Sequence, residues 1–323
     1  MHKLGVAFIL TREQGRVIRA RTGFYDVQHG ELVLRCTLRG TLKRKRRSET
    51  GRRLYADPVA VGDQVIFTQL DSEEGVVEEI LPRQTKFSRQ YAGKHEEIEQ
   101  IIVANADQVV AVVSTRMPPL NFRTLDRFLI LAEAGDMAAV ICLNKMDLVD
   151  AAQRDQLLST FKIYQKLGYQ VLYTSINTPT SLESLQDALI DKFSVIVGAS
   201  GVGKSSLLNV IQPNLKLRTA EVGEKTRKGR HTTTLVELFT LEIGGEVADT
   251  PGIREVGLWG VDTENLELYF PEMEPFLSTC RYNDCAHVKE SDCAIQSAVE
   301  AGDIHPERYR SYVVLKTGET TEF

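Results

Sequence analysis

No stretch of this chain approaches the ~18–20 consecutive apolar residues that a membrane-spanning helix needs, which excludes a helical membrane protein. The N-terminus, MHKLGVAFILTREQGR, has an apolar patch of only about six residues and no small-residue cleavage site, so it does not read as a secretory signal. The cytoplasm is the expected compartment, with no membrane partner. Cysteine is scarce, five in 323 residues, too few for a disulfide framework. Cys36 and Cys142 stand alone, and Cys142 lies in the apolar run AAVICLN, where a core position is expected. The other three crowd together near the C-terminus. Internal repeats and low-complexity tracts are also lacking.

What is present fits a globular protein of two or three domains, 42% hydrophobic and 26% charged. The net charge of -5 conceals an asymmetry. Residues 1–90 carry 17 Lys/Arg against 11 Asp/Glu, so the remainder carries -11. A basic module on an acidic protein points to an anionic partner such as RNA, or to a solvated charged face.

Residues 1–88 read as all-β. GVAFIL, RVIRA, ELVLRCTLRG, DQVIFTQL and GVVEEIL are strand-like runs punctuated by Gly, Asp and Pro. A small barrel of the OB type is the expectation. Lys43, Arg44, Lys45, Arg46 and Arg47 fall between two of these runs, where such barrels contact nucleic acid. Tyr25 and Tyr55 could stack on bases or be buried. Residues 89–105 read as a linker, since the polar segment RQTKFSRQYAGKHEEIEQ, Arg83 to Gln100, lacks apolar periodicity. From 106 to 257 strands and helices alternate, which predicts a mainly parallel, doubly wound α/β sheet. Residues 258–323 turn irregular and mainly helical.

Three motifs in the α/β segment carry chemistry. Gly198-Ala199-Ser200-Gly201-Val202-Gly203-Lys204-Ser205 is a G-x-x-x-x-G-K-S phosphate loop between a β-run, FSVIV, and an apolar helix beginning SSLLNVI, with Ser206 in its first turn. Its glycines let backbone N–H groups face phosphates, Lys204 would reach the β- and γ-phosphates, and Ser205 would ligate Mg2+. Asp249-Thr250-Pro251-Gly252 is a D-x-x-G switch in which Asp249 would hold Mg2+ and the Gly252 N–H would sense the γ-phosphate. Asn144-Lys145-Met146-Asp147 is an N-K-x-D loop whose aspartate can accept from guanine N1–H and its 2-amino group, a donor pair adenine lacks. Leaving that carboxylate buried and unpaired would cost ~2–5 kcal/mol. Thr174-Ser175 fits the loop whose backbone N–H meets guanine O6. In Arg230-His231-Thr232-Thr233-Thr234, Thr233 is the chosen second Mg2+ ligand, with Thr232 and Thr234 as rivals, and His231 can polarise water near neutral pH. Where Ras-type enzymes place a water-orienting glutamine the chain has Ile253, so that role must pass to another residue or to a partner. The guanine loop precedes the phosphate loop, the reverse of the usual order, which predicts a circular permutation.

Cys280-x4-Cys285-x-His287-x5-Cys293 supplies three thiolates and an imidazole, a closed tetrahedral set suited to one structural Zn2+. Together the permuted motifs and this spacing resemble the RsgA (YjeQ) family of bacterial circularly permuted GTPases, over essentially the whole chain. The resemblance implies an OB-fold, a permuted P-loop GTPase domain and a zinc domain. It implies a factor in late small-subunit assembly whose GTP hydrolysis is stimulated by the small ribosomal subunit and whose GDP state releases. It further implies a catalytic role for His231 and rRNA contacts from the OB and zinc domains. A monomer is expected.

Overall fold

The computed structural model describes residues 11–21, 23–44, 57–90, 98–217, 236–250 and 260–318. Strands β1 (Arg12–Arg21), β2 (Phe24–His29) and β3 (Leu32–Leu38), helix α1 (Gly40–Arg44), and strands β4 (Gln64–Gln69) and β5 (Glu74–Ile80) build the N-terminal barrel. The order β1-β2-β3-β5-β4 closes through β1–β4, and β3–β5 is the parallel pair. That is the expected OB-like architecture. Long β1 serves both sides: Arg12–Arg16 pairs with β4 and Arg16–Arg21 with β2. Gly15 permits the crossing, since a Cβ there would lie 2.6 Å from Val27 Cγ1. Strand β2 was not among the runs read from the sequence. Its signal is the alternation Tyr25 and Val27 inward, Asp26 and Gln28 outward. Tyr25 is fully buried and its hydroxyl donates to Asp57 at 2.6 Å, so it is a core residue and not a base-stacking one. GVAFIL, Tyr55 and Lys45–Arg47 lie outside the described residues. So do the side chains of Lys43 and Arg44, which end α1.

The stretch expected as a linker differs. Strands β6 (Lys86–Gln90) and β7 (Glu99–Ala104) pair antiparallel. Phe87, Ile102 and Val103 enter the core of the following domain. The polar residues around them masked that short apolar face.

The α/β domain contains β8 (Gln108–Ser114), α2 (Phe122–Glu133), β9 (Ala138–Asn144), α3 (Ala151–Lys166), β10 (Gln170–Tyr173), α4 (Glu183–Leu189), β11 (Phe193–Val197), α5 (Lys204–Ile211), β12 (Glu237–Thr240) and β13 (Glu246–Asp249). The sheet order is β10-β9-β8-β11-β13-β12, parallel except for the edge pair β12–β13. Strand alternation assigns the layers. Val109, Ala111 and Val113 of β8 pack with α2 and α3, and Val110 and Val112 pack with α4 and α5. The strand that feeds the phosphate loop, β11, is central in the sheet but fourth in chain order, the topological form of the permutation.

Helices α6 (Ala294–Ala301) and α7 (Pro306–Thr317), with short 3-10 turns before them, form the C-terminal domain. Phe270, Met273, Ile295, Tyr312 and Val313 make its core, and Ile130 of α2 joins the same cluster. The barrel meets the sheet at the other side, where β1 pairs with β12 through Arg19↔Glu237. Arg19 is also ion-paired to Glu237, and Arg16 to Glu246. No described helix is long and apolar enough to cross a membrane.

Candidate functional site

Three parallel strands end at one edge of the sheet and deliver the motifs. Strand β11, buried along its whole length, runs into Gly198 and then α5. The loop is compact because its glycines are needed. Gly203 has φ +102°, and a Cβ there would come within 2.4 Å of Asn144 Nδ2. Gly198 has φ +151°, and its Cβ would lie 2.3 Å from the Val112 carbonyl oxygen. Among the described residues the amides of Gly201, Val202 and Gly203 donate to nothing, and so leave donors free before a helix N-terminus, suited to an anion. Ala199 and Ser200 complete the loop, and Ser205 and Ser206 follow in the half-buried first turn of α5. Lys204 Nζ donates to the loop carbonyls of Gly198 at 2.8 Å and Ala199 at 3.1 Å. Burial lowers its pKa, and Asp249 opposes the shift.

Asp249 is brought in by register, opposite Ile196 of β11. Thr250 Oγ1 pins the strand end by donating to the Ile196 carbonyl at 2.8 Å. Asp249 is 8% exposed, and its Oδ1 is buried without a partner. Burial pushes its carboxyl pKa up, with Lys204 acting against it. A buried anionic oxygen with no donor fits the donor set of a hard divalent cation such as Mg2+.

Asn144, at the end of β9, ties three loops together. Its Nδ2 donates to the Val202 carbonyl at 2.9 Å, and its Oδ1 accepts from Thr174 Oγ1 at 3.1 Å. Cys142 is buried in the core as expected, its thiol 3.3 Å from the same Thr174 hydroxyl. Lys145 takes a left-handed backbone (φ +64°) and its Nζ reaches the carbonyls of Gly201, at 2.7 Å, and Met117. Met146 is buried, and its N–H donates to the Thr174 carbonyl at 3.1 Å.

Two expectations change here. Asp147 is exposed, so the fold itself desolvates its carboxylate only in part. Ser175 Oγ donates to its Oδ1 at 2.6 Å and Asn177 Nδ2 to its Oδ2 at 2.8 Å. The Ser175 hydroxyl first, and then the Asn177 amide, outweigh partial desolvation and hold this carboxyl below the usual carboxylate range. The backbone amides of Thr174 and Ser175 are both engaged, with the Leu143 carbonyl and with Ser181 Oγ, each at 2.9 Å. The next amide, that of Ile176, is the one without a partner among the described residues. Asn177, Ser181 and Thr115, whose Oγ1 donates to the Lys145 carbonyl at 2.7 Å, had no spacing signal in the sequence. His231, Thr233, Gly252 and Ile253 lie outside the described residues.

Cys280, Cys285, His287 and Cys293 converge, their ligand atoms all within 4.8 Å of one another, and could hold a metal ion. His287 presents Nδ1, 3.4 Å from Cys280 Sγ and 3.5 Å from Cys293 Sγ, while the two sulfurs are 4.0 Å apart. Tetrahedral zinc with ordinary bond lengths sets such edges at roughly 3.5 and 3.8 Å. The Glu290 carboxylate accepts from the amides of Ala286, Val288 and Lys289, and Tyr309 and Tyr312 donate to the carbonyls of His287 and Ala286. These bonds hold the loop shape without using the ligand atoms.

Residues 80–259 match the family model described as RsgA GTPase, and residues 14–77 match that of the RsgA N-terminal domain. The chain is 42% identical over 310 residues to the small ribosomal subunit biogenesis GTPase RsgA of Gemmatimonas aurantiaca, covering 95% of this chain and 97% of that one. It is 39% identical over 302 residues to the protein of the same name from Alkaliphilus metalliredigens, covering 94% and 96%. Among solved structures it resembles YjeQ from Thermotoga maritima, with a TM-score of 0.73 at 32% identity over 95% of this chain and 98% of that one. It also resembles YloQ, described as a circularly permuted GTPase, with a TM-score of 0.69 at 32% identity over 98% and 97%. The chain thus has counterparts over nearly its full length, and it belongs to the RsgA family of GTPases.

Proposed function

We propose that the protein binds the small ribosomal subunit late in its assembly and hydrolyses GTP to GDP and phosphate there, on stimulation by that subunit. The observation that carries the reading is Asn144, whose side chain bonds the phosphate loop and the Thr174 loop at once, so that base and phosphates are read by one rigid unit. The relatives' printed name supplies the partner.

In this reading the free amides of Gly201, Val202 and Gly203 receive the phosphates, and Lys204 leaves its loop carbonyls for them. Asp147 accepts from guanine N1–H and the 2-amino group, the Ile176 amide meets O6, and the Lys145 stem covers the base. Ser205, Asp249 and Thr233 would hold Mg2+, which neutralises charge on the β- and γ-phosphates when bound. His231 orients the attacking water, with Ile253 unable to do so. The Cys/His set holds one structural Zn2+. The barrel, with Lys43–Arg47, and the zinc loop contact rRNA, and the protein works as a monomer in the cytoplasm. Turnover measured alone and with purified small subunits tests this. Stimulation by small subunits, and not by large subunits or tRNA, is expected. Absence of stimulation, or equal stimulation by all three, would overturn it. His231→Ala should lower the stimulated rate and spare GTP affinity.

A further inference from the structure

We propose that Asn177 is a positioning residue that determines base specificity: its amide fixes the second oxygen of the Asp147 carboxylate and so sets how strictly the enzyme demands a 2-amino purine. The proposal rests on reading Asp147 as the base-recognising group. An ionised carboxylate offers about four acceptor positions, two on each oxygen. The protein fills one on each: Ser175 Oγ donates to Oδ1 at 2.6 Å and Asn177 Nδ2 to Oδ2 at 2.8 Å. One position per oxygen is left, and guanine presents two donors on that edge, N1–H and the 2-amino group. The count matches only because both oxygens are held.

Asn177 is also tied back to its partner. Its backbone N–H donates to Ser175 Oγ at 3.0 Å, so Asn177, Ser175 and Asp147 form a closed ring of hydrogen bonds. Both donors leave the same turn after β10, which makes the carboxylate plane a property of that turn. Asp147 is exposed, so packing constrains its rotamer weakly and these two side-chain bonds do most to orient it. With Ser175 alone, Oδ1 stays anchored while Oδ2 swings. A swinging oxygen still accepts from one donor but no longer aligns with two. Discrimination against hypoxanthine, which lacks the 2-amino group, then falls.

The test measures GTP and ITP affinity of the full-length protein by competition with a fluorescent GDP analogue, together with kcat and KM. Asn177→Ala should weaken GTP binding about five- to tenfold and lower the GTP-over-ITP ratio by a similar factor, with the effect in KM rather than kcat. Asn177→Asp, which keeps the shape but removes the donor, should lower the ratio at least as far. A wild-type ratio in both variants overturns the proposal, as does an equal loss of GTP and ITP binding, which marks a merely structural residue. Asp147→Asn is measured in parallel against XTP. If it gains XTP binding while the Asn177 variants keep the wild-type ratio, only the Asn177 proposal falls. If it gains none, the reading of Asp147 falls with it.

Discussion

Asp249 and Asp147 are the same residue type in opposite surroundings, and the roles proposed for them follow from that difference. One oxygen of Asp249 is buried without a partner, and burial raises its pKa. Asp147 is exposed and held by two donors, and its pKa is lowered. Replacing Asp249 by Asn removes a buried charge that Lys204 offsets only in part, while preserving shape. The urea midpoint without nucleotide should therefore hold or rise, because desolvation is relieved. GTP turnover should fall about a hundredfold, the scale of losing one preorganised electrostatic group, here one that would hold Mg2+. Asp147→Asn should move base preference from GTP towards XTP, because the amide reverses the donor and acceptor pattern. Competition binding reads this directly, and unchanged preference would contradict the assignment. Asp147 and Asp249 were legible in the sequence because each sits in a contiguous motif. Asn177 was not, because a lone asparagine in a turn has no spacing to mark it.

At the scale of elements, the phosphate loop and the end of β9 are built against each other. Gly203 is needed twice, for its φ of +102° and for the space that Asn144 occupies. Gly203→Ala should destabilise the protein by about 2–4 kcal/mol, from the strained backbone together with the clash. Denaturant midpoints and GTP affinity should fall together. In the C-terminal loop the ligand atoms come from a segment with little regular structure, shaped by Glu290, Tyr309 and Tyr312. Cys293→Ser should lower zinc content, measured by atomic emission, from about one ion per chain towards none. Protease resistance over 280–293 should fall with it, while GTP affinity is retained. Undiminished zinc content would rule out this ligand set.

Over the whole molecule, the C-terminal domain is fastened to the GTPase domain through a buried arginine. Arg308 of α7, 1% exposed, is paired with Asp126 of α2 and with Glu272, and Tyr164 of α3 donates to Asp126 at 2.9 Å. Its guanidinium lies 4.6 Å from the Phe270 ring centroid. Burial works against the charge, but Asp126 and Glu272 more than offset it and raise the arginine pKa. Arg308→Ala would strand two carboxylates in the core and should cost about 3–5 kcal/mol, seen as early loss of hydrogen-exchange protection in α7 and α2. The Arg16 ion pair between barrel and sheet is a lighter link. Arg16–Glu246 is partly exposed, although Arg16 also lies 4.4 Å over the Phe193 ring, so Arg16→Ala should cost about 1 kcal/mol or less. Helix α2 thus links the C-terminal domain to the guanine-loop half of the sheet, and β1 links the barrel to β12, two strands from the phosphate-loop strand.

By itself the sequence determined the fold class of the three parts, the permutation and the convergence of the Cys/His cluster, because glycine and lysine spacing, strand-to-loop order and Cys/His spacing are local and contiguous. The tertiary structure decided what depends on residues distant in sequence. It turned the described part of the 89–105 stretch from an expected linker into paired strand, since Ile102 and Val103 find their partners only on the folded sheet. It moved the unengaged amide from Thr174-Ser175 to Ile176, since Ser181 claims its neighbour. It also joined Arg308 to Asp126 across 182 positions, a pairing that neither residue announces and that only the packing of α7 on α2 creates.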